Sequence, residues 1–505
     1  MENILGISAG FHDAAVAVIA DKQVKYASHS ERYSKQKHDK NLHIAQFANG
    51  RMTGVSTVAY YEKPLPKYLR MLYAGQTPQW QSARSSVSGR DLYLAGLKNC
   101  TFENHSHHLS HAAAGFQTSQ FYDAICVVID AIGEWDTISI WYAEYDTRGY
   151  ADYEKLWSMR YPNSLGLFYS AITEYLGLRP NDDEYITMGM AAYGTPIIAD
   201  TLDSMLFDGL QTKHNLHIGL PAWCRSQLDN YSHYDVAASA QAVIERKLHT
   251  VFARARKLAK EHCTENLVYM GGVALNCSAN THVLQGWKDV WIMPAPGDAG
   301  SAIGAAALSY GRRIRNFHPY LGTVIPGNYP VDNLVPYLLK YKIAGVANGA
   351  AEFGPRALGN RSLLADPRGS EIKDAVNEIK RRQKFRPFAP VILEEHAYDY
   401  FDMASIPSAS KTSPYMQYVV KCLKPNEFPA IVHADNTSRV QTVGKHCPSG
   451  IRQLLEAWYA ATGCPMLLNT SLNIRGMPMV NTINDAAMFE QYYNVKVFTH
   501  DKQQY

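Results

Sequence analysis

Long hydrophobic runs are missing from this 505-residue sequence: none approaches the ~18 consecutive apolar residues that suggest a membrane span. The first residues, MENILGISAG, lack a basic stretch followed by a long apolar one, so they indicate a first strand rather than a signal peptide. The eight cysteines form no CxxC pair, which disfavours a disulfide framework and a structural zinc site. We therefore expect a cytoplasmic protein with reduced thiols and no membrane partner.

A strong excess of either charge is lacking as well. The 49 lysines and arginines against 46 aspartates and glutamates leave a formal net charge of +3. This balance falls short of the strongly basic footprint of a dedicated nucleic-acid binder, while polyphosphate substrates remain compatible with it. The length exceeds the roughly 250–300 residues beyond which one core tends to split, so we expect two or more domains.

The first half of the sequence carries one strand pattern twice. Residues 3–29 alternate apolar runs with turn signals, and a second copy begins at AICVVID (124–130) and continues through ISIWYAEY. Two such meanders with acidic or glycine-containing turns predict the two lobes of an actin/sugar-kinase-like fold. Because the segment 315–335 is rich in Pro, Gly and Asn, we predict two α/β domains, 1–325 and 326–505.

A histidine pair in HHLSH, His107 and His111, gives the sharpest local signal. On a helix this i, i+4 spacing places both imidazoles on one face, where they can reach one metal ion, and a carboxylate from elsewhere would complete the site. Asp298 in PAPGD is the preferred carboxylate, and Asp130 at the end of CVVID is the second. The competing interpretation is a chance HxxxH on a solvated helix.

Two turns of the first half are further candidates. His12 in GFHDAA, followed by Asp13, could act as general base for a hydroxyl or merely bond a turn carbonyl. The strand NLVYM ends in Gly271 and Gly272, shortly before Asn276, and paired glycines let backbone approach a ligand closely.

Arginines in the second half recur beside glycine and proline turns, in nearly uncharged surroundings. Guanidinium groups bind phosphate oxygens in bidentate fashion, and turn amides add donors. The alternative is ordinary surface solvation. We favour a phosphate-binding bowl formed by Arg356, Arg361, Arg386, Arg439 and Arg475.

Taken together, these motifs resemble those of the NodU/CmcH-type carbamoyltransferases, which decorate nodulation factors, cephalosporins and aminoglycosides. The resemblance spans almost the whole chain. Besides the arginine motifs, it is carried by SERYSKQKHD (30–39), HHLSHAA (107–113), IDAIGEWDT (129–137), YPNSLGLFYSAITEYLG (161–177), GGVALNC and PAPGDAGSAIGAA (294–306).

The resemblance implies an N-terminal domain similar to the threonylcarbamoyl-transferase fold and a YrdC-like α/β C-terminal domain. It implies that the second domain makes carbamoyl-adenylate from the co-substrates ATP and carbamoyl phosphate, and that the first transfers the carbamoyl group to a hydroxyl. The metal is expected to be iron, with magnesium or manganese as alternatives, and a homodimer is expected because family members are often dimers.

The resemblance also assigns roles to individual residues. His12 gains a catalytic role, together with its neighbour Asp13, as the group that orients or deprotonates the acceptor. The metal ligands are His107, His111 and Asp298, with Asp130 beside them. Contacts to carbamoyl phosphate and adenylate carry over to Lys380, Arg356, Arg386, Arg439, Asn469 and Arg475. The chain departs from the family pattern at Ile186, Ala192 and Met477.

Two acceptors remain open. The first, a small-molecule hydroxyl of a sugar, nucleoside or secondary metabolite, is favoured on family grounds. The second is a hydroxymethylated pyrimidine in DNA, for which the aromatic and basic stretch 60–98 would offer stacking platforms. We prefer to interpret that stretch as an insertion lining the acceptor cleft, because its basic residues are spread out. Threonylcarbamoyl transfer to tRNA and a non-catalytic sensor are weaker alternatives.

Overall fold

Two compact units make up the computed structural model, which describes residues 3–48, 50–384 and 386–501. The first unit consists of the chain up to Ala27, Lys40–Phe317 and Pro407–Ala409. The second consists of Ser28–Asp39, His318–Ile406 and the chain from Ser410 onward. The segment Ser28–Asp39 therefore belongs to a different unit from its neighbours in sequence.

The first unit begins with a five-stranded sheet. Its strands are β1 (Asn3–Ser8), β2 (Ala15–Ala20), β3 (Gln23–His29), β4 (Val55–Tyr60) and β5 (Thr101–Asn104). They lie in the order β3-β2-β1-β4-β5, with β1 antiparallel to β2 and parallel to β4. Every residue of β2, AVAVIA, is buried, as expected for a strand covered on both faces. The helices of this stretch are α1 (Glu31–Ser34), which belongs to the second unit, α2 (Pro64–Tyr73) and α3 (Gly89–Leu94).

The same plan recurs in the rest of the first unit. Its strands are β6 (Asp123–Gly133), β7 (Asp136–Tyr145), β8 (Ala151–Arg160), the short pair β9 (Phe207–Asp208) and β10 (Gln211–Thr212), β11 (Asn266–Met270) and β12 (Asp289–Trp291). The main sheet has the order β12-β11-β6-β7-β8, with β6 antiparallel to β7 and parallel to β11. Two sheets with one strand order and the same pairing of their central strands confirm the actin-like fold class of this unit.

The helices of this stretch include α4 (His107–Thr118), which packs against β6 of the second sheet. The others are α5 (Leu165–Tyr175), α6 (Glu184–Ala191), α7 (Ala199–Leu206), α8 (Ala222–Leu228), α9 (His233–Glu261), α10 (Cys277–Val283) and α11 (Ser301–Tyr310). α11 packs against α4 and β1. A Cβ on Gly304 would lie 1.7 Å from the carbonyl oxygen of Ser110, so glycine is required for this close approach of α11 to α4.

The second unit is a mixed α/β domain. Its strands are β13 (Tyr320–Ile325), β14 (Ile343–Ala347), β15 (Gly349–Glu352), β16 (Arg361–Ala365), β17 (Ala389–Leu393), β18 (Val420–Lys421), β19 (Thr437–Ser438), β20 (Gln441–Val443), β21 (Met466–Ser471) and β22 (Val497–Phe498). Its remaining helices are α12 (Val331–Tyr341), α13 (Glu371–Ile379), α14 (Ala397–Tyr400), α15 (Ile451–Thr462) and α16 (Ile483–Tyr493). The main sheet has the order β20-β17-β21-β16-β14-β22. Its core contains Trp458, Leu454 and Leu364.

Short 3-10 turns complete the secondary structure, at Ile44–Phe47, Leu216–Ile218, Gly272–Leu275, Asp298–Gly300, Glu394–His396, Met403–Ser405 and Pro429–Ile431. None of the helices in the described part of the chain combines the length and the apolar character needed to cross a bilayer.

Candidate active site

The histidine pair lies in the first two turns of α4. His107 and His111 are one helical turn apart and both are buried, so the i, i+4 spacing does place their rings on one face. Their Nε2 atoms lie 3.1 Å from each other. Two buried imidazole nitrogens at this distance need a proton or a cation between them, because their lone pairs repel one another.

Two carboxylates, Asp130 and Asp298, close the site. Asp130 Oδ2 in β6 lies 3.3 Å from His107 Nε2 and 3.2 Å from His111 Nε2. Asp298 Oδ1, in the turn before α11, lies 3.4 and 3.3 Å from the same two nitrogens. Ligand atoms bound about 2.1 Å from a common ion would be separated by about 3.0–3.4 Å. The spacing of these four side chains therefore fits one divalent metal.

Hydrogen bonds behind the imidazoles fix which nitrogen faces the centre. His107 Nδ1 lies 2.9 Å from Glu62 Oε1, and His111 Nδ1 lies 3.1 Å from the carbonyl oxygen of Pro296. Each Nδ1–H can donate to that oxygen, which leaves the Nε2 lone pair free for a metal. The sequence analysis did not identify Glu62 as a site residue. Glu62 follows β4 closely, much as Asp130 follows the buried part of β6. The signal that pointed to Asp130 could therefore have found it.

The two carboxylates dominate the electrostatics of this cluster. Burial would lower the pKa of His107, but Asp298 and Asp130 outweigh it and hold that pKa well above its ordinary value. Burial would raise the pKa of Asp298, and the two histidines lower it to about 2. Such a site attracts cations. Two imidazoles and two carboxylates form a donor set that suits divalent iron or manganese.

The loop of His12 lies beside the same centre. His12 Nδ1 lies 3.0 Å from Asp13 Oδ2, and His12 Nε2 lies 3.7 Å from Asp298 Oδ2. Both His12 and Asp13 are partly exposed, so an acceptor could reach them. Burial lowers the pKa of His12, but Asp13 and Asp298 together raise it to about 9.

The paired glycines approach the protein's own backbone. Gly271 has a φ of +93°, and a Cβ there would lie 2.2 Å from the carbonyl oxygen of Ile129. The Gly272 N–H donates to Asp130 Oδ1 over 3.4 Å. Asn276 accepts from the N–H of Ala279 and so begins α10. The Gly272 contact helps to orient Asp130, whereas the ligand contacts of Gly271, Gly272 and Asn276 stay predictions.

In the second unit, Lys380 lies beside the end of β21. Its Nζ donates to Ser471 Oγ over 3.0 Å and to Asn473 Oδ1 over 2.6 Å. Burial, with Arg382 and Arg386 nearby, holds the pKa of Lys380 well below its ordinary value. The N–H of Arg475 donates to the Lys380 carbonyl. An anion placed among these cations would relieve their repulsion.

Asn469 links the other predicted contacts to the same strand. Its Nδ2 donates to the carbonyl of Ala357, the neighbour of Arg356, and to Gln441 Oε1, two residues beyond Arg439. Asn469 Oδ1 and Arg439 Nε are buried without a hydrogen-bond partner among the described residues. Buried polar atoms are rarely left unpaired, so these two atoms point to a ligand or water.

Arg361 differs from the other arginines of the predicted bowl, and its predicted role is corrected. It is fully buried in β16. All three of its guanidinium nitrogens donate to backbone carbonyls: those of Thr323, Asn348, Gly349, Asn360 and Asn481. A guanidinium engaged in this way has no donor left for a phosphate, so Arg361 stabilises the loops whose carbonyls it binds.

We expect Arg361→Met to lower the free energy of unfolding by about 3 kcal/mol or more, because buried carbonyls lose their donor. Thermal unfolding measures this, with the exposed Arg381→Met as the matched control. A melting temperature equal to that of the control would contradict the structural role.

Comparisons with known proteins identify the family of this chain. The family model "Carbamoyltransferase N-terminus" matches residues 76–307, and "Carbamoyltransferase C-terminus" matches residues 335–503. An uncharacterized protein of Synechocystis is 33% identical to this chain, and the alignment covers 96% of this chain and 94% of the relative. Nodulation protein NolNO of Sinorhizobium fredii is 30% identical over 96% and 78% of the two chains. Nodulation protein NolO of Bradyrhizobium diazoefficiens is 34% identical over 75% of each. The chain belongs to the carbamoyltransferase family and is an enzyme that transfers carbamoyl groups.

Proposed function

We propose that this enzyme is an ATP-dependent O-carbamoyltransferase with one reaction centre in each unit. The second unit activates carbamoyl phosphate, and the first transfers the carbamoyl group to an acceptor hydroxyl. The observation that carries the proposal is the contrast between the two centres. The first is a buried cluster of two imidazoles and two carboxylates suited to a cation. The second is a buried cluster of basic side chains with two polar atoms that lack a hydrogen-bond partner among the described residues.

Activation is proposed to pass through carbamate. Carbamoyl phosphate, ATP and one water give carbamoyl-adenylate, phosphate and pyrophosphate. Carbamate oxygen forms the new bond to the α-phosphorus as pyrophosphate leaves. Arg356, Arg386 and Arg439 would neutralise the phosphate charges, and Lys380 would hold the leaving oxygens once the anion restores its proton affinity.

Transfer is proposed to occur at the first unit, with AMP as the leaving group. When bound, a divalent metal held by His107, His111, Asp130 and Asp298 supplies Lewis-acid stabilisation of charge on carbamoyl or phosphate oxygens. His12 lies next to Asp298 and faces solvent on one side. The His12 imidazole can take the proton of the acceptor hydroxyl only when it is neutral. A cation that offsets the charge of Asp298 would therefore favour His12 as the general base. Asp13 orients the ring through Nδ1.

The acceptor is proposed to be a small-molecule hydroxyl. Two basic residues of the stretch 60–98, Lys67 and Arg70, are buried and engaged within the protein, which removes them from the phosphate contacts that DNA would need. One observation favours the alternative of hydroxymethylpyrimidines in DNA: the exposed rings of Tyr73 and Trp80 could stack on bases.

Pyrophosphate release tests the activation step. We expect release from ATP that depends on carbamoyl phosphate and proceeds without any acceptor. Release that is independent of carbamoyl phosphate, or none at all, would contradict the proposed activation.

Salt dependence distinguishes the two acceptors. With a small-molecule acceptor, we expect kcat/KM to change less than about threefold between 50 and 200 mM salt. A DNA acceptor held by several phosphate contacts would lose about 1,000-fold or more over that range. Steady-state kinetics at the two salt concentrations measure the difference.

A further inference from the structure

We propose that Glu62, Lys67 and Gln81 form a positioning network that joins helix α2 to both the metal ligand His107 and the loop of His12. This inference rests on the proposed metal-dependent transfer step. It concerns the residues that hold the transfer centre in place, and none of the three is assigned to the metal or to the acceptor.

The network begins at Glu62. One carboxylate oxygen, Oε1, accepts from His107 Nδ1 over 2.9 Å, and the other, Oε2, accepts from Lys67 Nζ. Both side chains are buried. A carboxylate behind a ligating imidazole fixes the ring orientation and increases the basicity of the nitrogen that faces the metal. Glu62 can perform this role only while Lys67 keeps its carboxylate in place.

Lys67 extends the network toward the loop of His12. Besides Glu62, its Nζ donates to Gln81 Oε1 over 3.1 Å. Gln81 Nε2 in turn donates to the carbonyl of Gly10 over 3.3 Å. Gly10 has a φ of +98°, and a Cβ there would lie 2.1 Å from Gln81, so the loop and this glutamine touch closely. His12 is two residues further along the same loop.

A second contact ties α2 to His107 through the main chain. Arg70 Nε donates to the carbonyl of Glu134 over 3.1 Å. Glu134 Oε1 accepts from the backbone N–H of His107 over 3.3 Å and from that of Lys63 over 2.7 Å. The first helical residue of α4 and the residue preceding α2 therefore share one carboxylate.

The orientation of α2 indicates that these contacts are functional. An ordinary surface helix buries its leucines and exposes its cations. α2 does the reverse, since Lys67 and Arg70 are 5% and 8% exposed, while Leu65, Leu69 and Leu72 are 56%, 49% and 51% exposed. Burying charged groups is costly and buried ion pairs are weak stabilisers, so stability alone does not account for this arrangement. A role in positioning the transfer centre accounts for the burial of Lys67 and Arg70.

Four variants test the network: Glu62→Gln, Lys67→Met, Lys67→Arg and Gln81→Leu. The exposed Lys98→Met is the matched control. The metal affinity is measured by titrating the metal-free protein with manganese(II). Binding is monitored by the decrease of the electron paramagnetic resonance signal of the free ion. Pyrophosphate release reports the activating centre, and circular dichroism and thermal unfolding report folding.

We expect Glu62→Gln and Lys67→Met to weaken manganese binding by about 10- to 100-fold while pyrophosphate release stays unchanged. Lys67→Arg should bind manganese within about threefold of the unsubstituted enzyme, because arginine keeps the positive charge beside Glu62. Gln81→Leu should keep manganese affinity, because Lys67 still holds Glu62 behind His107. It should lower the kcat of transfer about tenfold, because the direct contact to the His12 loop is lost.

Folded Glu62→Gln and Lys67→Met variants with the manganese affinity of Lys98→Met would overturn the network, and so would a lower melting temperature with unchanged affinity. If the unsubstituted enzyme released no pyrophosphate, the proposed activation step would be contradicted instead. The manganese affinities would still test the network, because they do not depend on that step.

Discussion

His111→Ala is expected to remove the bound divalent metal and to lower carbamoyl transfer at least about 100-fold, while carbamoyl-phosphate-dependent pyrophosphate release continues. His111 Nε2 lies within 3.3 Å of His107, Asp130 and Asp298, so its loss removes one of the four ligands and leaves His107 as the remaining imidazole beside the two carboxylates. Loss of a ligand should cost at least as much as loss of a residue behind one, which is about 10- to 100-fold.

Elemental analysis of the purified variant and mass spectrometry of the transferred carbamoyl group measure the two effects. The exposed His249→Ala on α9 is the matched control. A His111→Ala enzyme with full metal content and full transfer would remove this histidine from the metal site.

Arg439→Ala is expected to lower pyrophosphate release by at least about 100-fold and to leave metal content unchanged. Arg439 Nε is buried and has no hydrogen-bond partner among the described residues, and β20, which begins two residues later, contacts Asn469 through Gln441. Removing a guanidinium that stabilises a phosphoryl-transfer charge costs about 3 kcal/mol or more. Arg439→Lys should recover little, because an ammonium cannot replace bidentate contacts.

Pyrophosphate release with saturating ATP and carbamoyl phosphate gives the result, and Arg381→Ala is the exposed control on the same unit. Unchanged release by Arg439→Ala would place this arginine outside the activating centre.

Spacing and strand ends made the first centre predictable. His107 and His111 are four residues apart on a helix, and the sequence pattern placed Asp130 and Asp298 each at a junction between a strand and a turn. Local pattern alone therefore indicated that these side chains could meet. The duplicated strand meander likewise predicted two lobes, because apolar runs can be recognised without long-range information. The structure contains one five-stranded sheet for each copy of the meander.

Tertiary contacts decided what the sequence could not. Arg361 has the same local pattern as Arg356, and only the carbonyls gathered around it from distant loops make it structural. Lys67 and Arg70 look like solvated cations in a basic stretch, yet both are buried. The placement of Ser28–Asp39 in the second unit depends on contacts with residues that are hundreds of positions away in the sequence. No local motif predicts such contacts.

Mass spectrometry of an acceptor panel tests the central claim most directly. The enzyme would be incubated with ATP, carbamoyl phosphate and metal, together with aminoglycosides, nucleosides, and DNA with and without 5-hydroxymethylpyrimidines. The account predicts one adduct of about +43 Da on a hydroxyl of a free small molecule, formed with one AMP per carbamoyl group transferred. An adduct confined to DNA would contradict the proposed acceptor. A carbamoyl adduct formed without ATP would contradict the adenylate route itself.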